Sequence, residues 1–274
     1  MSSPAPKQVP PRPFLKWAGG KHRLIRQYKD YFPEFKNYYE PFLGGGAVFF
    51  HLRPQSAVLT DINPDLINAY CCVRDKVESV ILLLQEHQQQ HGNEYYYSMR
   101  SLTPDTEIER AARFIYLNRT CFNGLYRENS QGEFNVPIGK YKNPQICNPE
   151  LLRSVSATLK NVKIEEKSFE HVLESANSSD DFVYFDPPYY PVSSTSYFTA
   201  YSRHSFIEDD QKKLSKIFAE LAGRGVKVMM SNSDCSFIRN LYSQFNIYEI
   251  SAARAINSKI KKRGSIAEVL VTSY

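Results

Sequence analysis

The chain has 274 residues, 42% hydrophobic and 23% charged, with a formal net charge of +5. That is enough apolar material for one large α/β domain or a domain with an inserted piece, and the longest aliphatic run, residues 80–84, is far too short to span a membrane. Five cysteines (Cys71, Cys72, Cys121, Cys147 and Cys235) form no C-x-x-C pair, and with no apolar signal segment at the start the chain reads as reduced and cytoplasmic.

Residues 1–13 contain five prolines and read as an extended, flexible tail. The first ordered stretch is residues 14–21, FLKWAGGK, with a helix expected from about His22 to Asp30. Paired glycines before a helix let backbone approach a ligand, and Lys21 offers a cation there; a surface loop with Trp17 packed on the core is the plainer alternative. Residues 38–52 read as strand, glycine turn (Gly44, Gly45, Gly46) and helix. A second short strand over 57–60 ends at Asp61. Glycine turn, helix and an acid ending the next strand form a nucleoside-binding half of a Rossmann-like fold, with Asp61 placed for ribose hydroxyls. G-x-G-x-x-G is absent, which disfavours NAD and favours a nucleoside ligand without a pyrophosphate.

From 64 to about 150 the α/β rhythm breaks. Helical patterns cover roughly 64–90 and 105–118, and a loop rich in Asn, Gly and aromatics runs to Asn148. This reads as an insertion forming its own lobe between the second and third strands. His87 and His91 stand four apart on a helix, but no third ligand lies nearby, so no metal is expected. Residues 113–142 combine Arg113, Arg119, Arg127, Lys140 and Lys142 with six aromatics, and 251–263 holds Arg254, Lys259, Lys261, Lys262 and Arg263 without an acid. Cations for phosphates beside rings for bases suit nucleic acid, although solvated loops carry such charge too.

Strands are expected at 162–165, 182–185, 225–231, 246–250 and 266–272, with a short helix after Ser168-Phe169 and a capping box from Ser205 opening a helix to about Ala222. The 182–185 strand delivers Asp186-Pro187-Pro188-Tyr189 at its carboxyl end, where open α/β sheets bind ligands. Asp186 can accept hydrogen bonds, the prolines stiffen the turn, and Tyr189 offers a flat face: a combination that suits an exocyclic amino group on a nucleobase. Ordinary turn chemistry with a packed aromatic is the competing reading.

Taken in order, FLKWAGGK (14–21), EPFLGGG (40–46), Asp61-Ile62-Asn63, Leu117-Asn118-Arg119, residues 122–127 and 132–137, DPPY (186–189), Phe198-Thr199-Ala200-Tyr201 and Ser231-Asn232 resemble the Dam-type DNA adenine-N6 methyltransferases of the alpha group, the D12 class. The resemblance spans nearly everything after the tail. It implies an α/β fold, a Rossmann-like S-adenosylmethionine-dependent methyltransferase sheet of seven mixed strands, with a mainly helical target-recognition lobe inserted. The corresponding division is 1–13 tail, 14–63 with 151–274 catalytic, and 64–150 target recognition. It implies S-adenosylmethionine as donor and a flipped adenine in double-stranded DNA as acceptor. Trp17, Lys21, Gly44, Gly46, Asp61, Phe169 and Asp186 would line the cofactor site, and Asp186, Pro187, Pro188 and Tyr189 would carry the chemistry. Matching positions in the Dam type read GATC, which assigns DNA contacts to Lys16, Phe122, Asn123, Leu125, Arg127, Pro137 and Lys140. The family often has Tyr where this chain has Phe122 and Arg where it has Lys140; Phe keeps the wedge without a hydroxyl, and Lys keeps the charge without the fork. A monomer without metal or membrane is expected, with a cognate restriction endonuclease encoded nearby as the one protein partner left open. Methylation of another DNA site or of RNA, and a silent DNA-binding relative, remain the alternatives. A cytosine-C5 enzyme is excluded because the chain has no Pro-Cys dipeptide.

Overall fold

The computed structural model describes residues 9–21, 24–129, 131–192, 206–253 and 265–274. Residues 198–201, Ser205 and the cations expected at 254–263 lie outside the described residues. In chain order the first half contains α1 (Ile25–Tyr28), β1 (Asn37–Glu40), α2 (Ala47–Leu52), β2 (Ser56–Asp61), α3 (Pro64–Asp75), α4 (Val77–Gln90), α5 (Asn93–Ser101) and α6 (Glu107–Thr120). There follow α7 (Pro149–Leu159), β3 (Lys163–Glu166), β4 (Asp181–Phe185), α8 (Glu208–Gly223), β5 (Lys227–Ser233), α9 (Ser236–Leu241), β6 (Asn246–Ala253) and β7 (Ser265–Thr272).

Seven strands form one mixed sheet of order β3-β2-β1-β4-β5-β7-β6. Pairs β1/β2, β1/β4 and β4/β5 are parallel, whereas β7 runs antiparallel between β5 and β6. The fold is therefore α/β. All five residues of β4 are buried, as a central parallel strand covered on both faces requires. Asp181 opens that strand: its carboxylate accepts backbone N–H bonds from Asn177 (2.8 Å) and Ser178 (2.9 Å) and an amide bond from Asn37 (2.9 Å). The chain divides into two compact units, one of residues 1–20, 44–53 and 63–166, the other of 21–43, 54–62 and 167–274. In the second, Val183, Phe185, Val228, Met230, Leu214 and Phe218 belong to one buried apolar cluster.

The first unit is mainly helical, and its helix starts are legible in the chain. Asn63 and Asn148 each precede a proline and each cap a helix, accepting from Leu66 N–H (3.0 Å) and Leu151 N–H (3.1 Å). Thr106 and Glu109 close a reciprocal capping box on α6.

Several boundaries differ from the sequence reading. The helix expected over 22–30 is, among the described residues, one turn of α1 and a 3₁₀ turn (Lys29–Tyr31); Phe32 is extended because Pro33 follows it. The stretch 64–90 breaks into α3 and α4 at Lys76 (φ −135°, ψ 36°). Helices α5 and α7 fall where no helix was expected, and the helix after Ser168 is a 3₁₀ segment, Phe169–Glu174. The cap of α8 is Ile207, whose N–H donates to Asp210 Oδ2 at 2.9 Å, two residues beyond Ser205.

Candidate functional site

The chain leaves β4 at Phe185 and turns through Asp186, Pro187, Pro188 and Tyr189 at the carboxyl end of the parallel strands. Asp186 Oδ1 takes two contacts, from Lys21 Nζ at 2.8 Å and from Ser231 Oγ at 2.9 Å. Ser231 lies on neighbouring β5 and also meets the buried Tyr184 hydroxyl at 2.9 Å. Both contacts fall on one oxygen, so the rotamer is held.

The turn is braced from behind. Gln211 Nε2 donates to the Pro188 carbonyl (2.9 Å) and Asn232 Oδ1 accepts the Tyr190 N–H (3.1 Å). The two amides also bond each other at 3.0 Å, and both residues are fully buried. Two prolines remove backbone donors, and these side chains satisfy what remains. Pro187 is buried and Pro188 exposed.

Lys21 is 3% exposed, and its ammonium also lies 4.4 Å from the centroid of the Tyr189 ring. The Tyr189 hydroxyl donates to Glu268 Oε2 at 2.6 Å, from β7. Burial pushes the Glu268 carboxyl up, and burial together with Asp186 pushes the Tyr189 hydroxyl well up. Asp61 ends β2, half-buried, and its carbonyl accepts the Lys167 N–H at 3.1 Å. Phe169 is buried, stacked on Phe42 (5.3 Å, 22°) and edge-on to Phe206 (5.6 Å).

The other unit carries Trp17, Gly44, Gly46 and every residue assigned to DNA by resemblance. Gly44 has φ +45°, and a Cβ there would stand 2.7 Å from Trp17 Cδ1, so the indole lies against the bare turn. Gly46 (φ +63°) caps α2. Trp17 stacks on Tyr126 (6.1 Å, 22°), whose hydroxyl bonds Glu128. Asn118 clamps the preceding residue on both sides: Lys16 N–H donates to Asn118 Oδ1 (2.8 Å), and Asn118 Nδ2 donates to Lys16 O (2.6 Å). The Lys16 ammonium donates to Arg119 O (3.2 Å) and sits 3.8 Å over the Tyr141 ring. Gly124 (φ +64°) packs on Lys16 with no room for a Cβ.

Phe122 is 48% exposed and Leu125 36%, with Asn123 between them in the left-handed region (φ 56°). Phe122 N–H donates to Pro137 O (2.9 Å), and Pro137 and Lys140 are exposed. Arg127 is exposed on a hairpin, its Nε donating to Asn135 Oδ1 at 2.7 Å while Asn135 N–H donates to Arg127 O at 3.0 Å. A cavity of about 410 Å³ lies beside this hairpin, lined by Asp65, Arg100, Arg110, Arg113, Tyr126 and Phe134 among others. His87 and His91 are engaged individually, by the Tyr95 hydroxyl (2.6 Å) and the Tyr116 hydroxyl (2.9 Å). Among the described residues no helix is long and apolar enough to cross a membrane.

A family model, the D12 class N6 adenine-specific DNA methyltransferases, matches residues 17–256. The chain belongs to this family. It is 46% identical over 272 residues to a Type II methyltransferase of Lactococcus lactis subsp. cremoris, covering 96% of this chain and 95% of that one. It is 42% identical to a Type II methyltransferase of Methanocaldococcus jannaschii, covering 96% and 99%. To a DNA adenine methylase of Escherichia coli it is 36% identical, covering 94% of each. This D12-class chain is thus an adenine-specific DNA methyltransferase, as its motifs imply.

Three residues around the DPPY turn were not singled out from sequence as site residues, Ser231, Gln211 and Glu268, and neither was Asn118, the clamp on Lys16 in the other unit. Ser231 and Asn118 sit inside stretches that carry the family likeness, so a signal existed. Gln211 on α8 and Glu268 on β7 resemble ordinary polar positions, and only the pairing of elements brings them to the turn.

Proposed function

We propose that this methyltransferase transfers a methyl group from S-adenosylmethionine to the N6 amino group of an adenine extruded from double-stranded DNA, within GATC. The observation that carries the reading is the Asp186 carboxylate at the end of β4, pinned through Oδ1 by Lys21 and Ser231 beside the Tyr189 ring. Adenine nitrogen is a poor nucleophile because its lone pair is delocalised into the ring. Asp186 Oδ2 and the Pro187 carbonyl would accept its two N–H bonds and favour the tetrahedral nitrogen of the transition state. Tyr189 would stack on the base, whose amino group is out of reach inside a duplex.

The residues fit the proposed cofactor. Asp61, a carboxylate ending β2, suits ribose hydroxyls, and Lys21, a buried cation, suits a carboxylate. The glycine turn at 44–46 is covered on one side by the Trp17 indole rather than shaped as a phosphate cradle, in keeping with a cofactor that has no phosphate. When bound, S-adenosylmethionine supplies an activated methyl group, so the chain's own work is to orient and polarise the amino group. Phe169, packed on Phe42, would form the apolar wall for the cofactor's adenine.

Site choice would rest on the 122–140 segment. Exposed Phe122 would wedge into the base stack, and Asn123, Leu125 and Pro137 would contact the site. Arg127, oriented by Asn135, would pair with a guanine, a contact worth about 1–3 kcal/mol of discrimination. Lys16 would read the outer guanine after leaving Tyr141, and Lys140 would bind as a point charge. Labelled methyl transfer to duplexes differing only in the GATC core tests this reading; equal labelling of a scrambled core removes the GATC assignment. If Asp186→Ala labels DNA as well as the unaltered protein does, the assignment of the chemistry falls. Two relatives are named Type II methyltransferases, which favours service beside a restriction endonuclease; protection of expressing-cell DNA from a GATC-cutting nuclease, with such a gene adjacent, checks it.

A further inference from the structure

The tyrosine of the DPPY turn needs a defined ring plane if it is to stack on a base, and a tyrosine side chain has two free torsions. Here the far end of the ring is tied: its hydroxyl donates to Glu268 Oε2 at 2.6 Å. We propose that Glu268 is the positioning residue for Tyr189, setting the ring plane on which the target adenine stacks. This rests on the reading of Tyr189 given above.

The topology explains why a carboxylate is available there. In a wholly parallel sheet the carboxyl ends of the strands meet loops. Strand β7 runs antiparallel beside β5, pairing Glu268 with Ser233, the last residue of β5. The beginning of β7 therefore lies at the ligand-binding edge, and Glu268 sits on a strand, not a loop. It also faces Ile250 of β6, so its backbone is paired on both sides. Lys21 holds the ring from its face, 4.4 Å from the centroid, and pairs with Asp186 at 2.8 Å. Face and hydroxyl are thus held by residues from opposite ends of the sequence. At 2.6 Å this is a short O–H···O hydrogen bond. The hydroxyl end is also where one bond has the greatest leverage over the ring's tilt.

The test uses the full chain and steady-state methylation of a duplex carrying its adenine target. Glu268→Ala is expected to lower kcat about tenfold or more, with KM for S-adenosylmethionine within about twofold. Glu268→Gln keeps a carbonyl acceptor and is expected to recover to within about threefold of the unaltered enzyme. Because both variants act through one bond, adding Glu268→Ala to Tyr189→Phe should cost less than about twofold more. A purely structural role would predict equal losses in both backgrounds and no rescue by Gln, and either result overturns the proposal. The four proteins of the cycle (unaltered, Glu268→Ala, Tyr189→Phe and the double variant) are compared in urea unfolding, which does not depend on activity. If no adenine is labelled yet Glu268 and Tyr189 still couple in stability, the stacking reading falls while Glu268 still positions Tyr189. If they do not couple, the positioning itself is overturned.

Discussion

Tyr184 and Tyr242 are both fully buried, but their hydroxyls meet different fates. Tyr184 bonds Ser231, which holds Asp186, whereas Tyr242 has no partner for its hydroxyl among the described residues. An unpaired buried hydroxyl carries its desolvation cost with no return bond. Tyr242→Phe should therefore leave stability unchanged or raise it by up to about 1 kcal/mol in urea unfolding. Tyr184→Phe should cost about 1–2 kcal/mol and also slow methyl transfer, since Ser231 loses the partner that orients it. Equal effects from the two variants would contradict this account. Glu268 gives a residue-level pH effect. Burial raises its carboxyl above the ordinary 4.5, so the folded state holds that proton more tightly than the unfolded state. The resulting stability is present below 4.5 and is lost as pH rises through the raised value. Glu268→Gln should accordingly gain stability relative to the unaltered chain as pH rises from about 4 to 7, measured by thermal melts.

At the level of elements, His87 of α4 and His91, which caps its end, meet tyrosines of α5 and α6. Burial depresses both imidazoles below the ordinary 6.5. Their contribution is intact above 6.5 and is lost as pH falls through the depressed values, because the unfolded chain takes up the protons first. Melting at about pH 7.5 and 5.5 should show a drop on acidification that His87→Gln reduces; an unchanged drop would dismiss His87 as its source. The glycine turn makes a different prediction. Gly44→Ala meets a left-handed φ of +45° and the Trp17 indole at 2.7 Å, so it should destabilise by roughly 1–3 kcal/mol. Elements also show where sequence reading stops. Helix α7 was legible in principle, with Asn148-Pro149 at its start and buried Leu151, Leu152, Val155 and Leu159 at helical spacing. Helix α5 was not, because in NEYYYSMRS only Tyr96 and Met99 are buried, too narrow a stripe to read as a face.

For the whole molecule, the net charge of +5 is modest and binding to DNA depends on where cations cluster. If some six phosphates are neutralised, affinity should fall about a thousandfold between roughly 50 and 200 mM salt. Lys140→Ala should lower the salt slope by about one and weaken all sequences alike, while Arg127→Ala should chiefly erase discrimination. Titrations at several salt concentrations check both, and a flat dependence would argue against a phosphate-led interface. By itself the sequence determined the strands, the glycine turn, Asp61, the DPPY turn and the family, because apolar runs, turn residues and ordered motifs are local signals. Asp186 to Tyr189 could be found that way, but their supports could not. Glu268 stands beside Val269 in an alternating strand and reads as a solvent-facing acid, and Gln211 reads as one more polar residue of α8. Only the antiparallel insertion of β7 next to β5, and the packing of α8, bring those side chains to the turn. Strand order and direction depend on contacts distant in sequence, which no local pattern encodes.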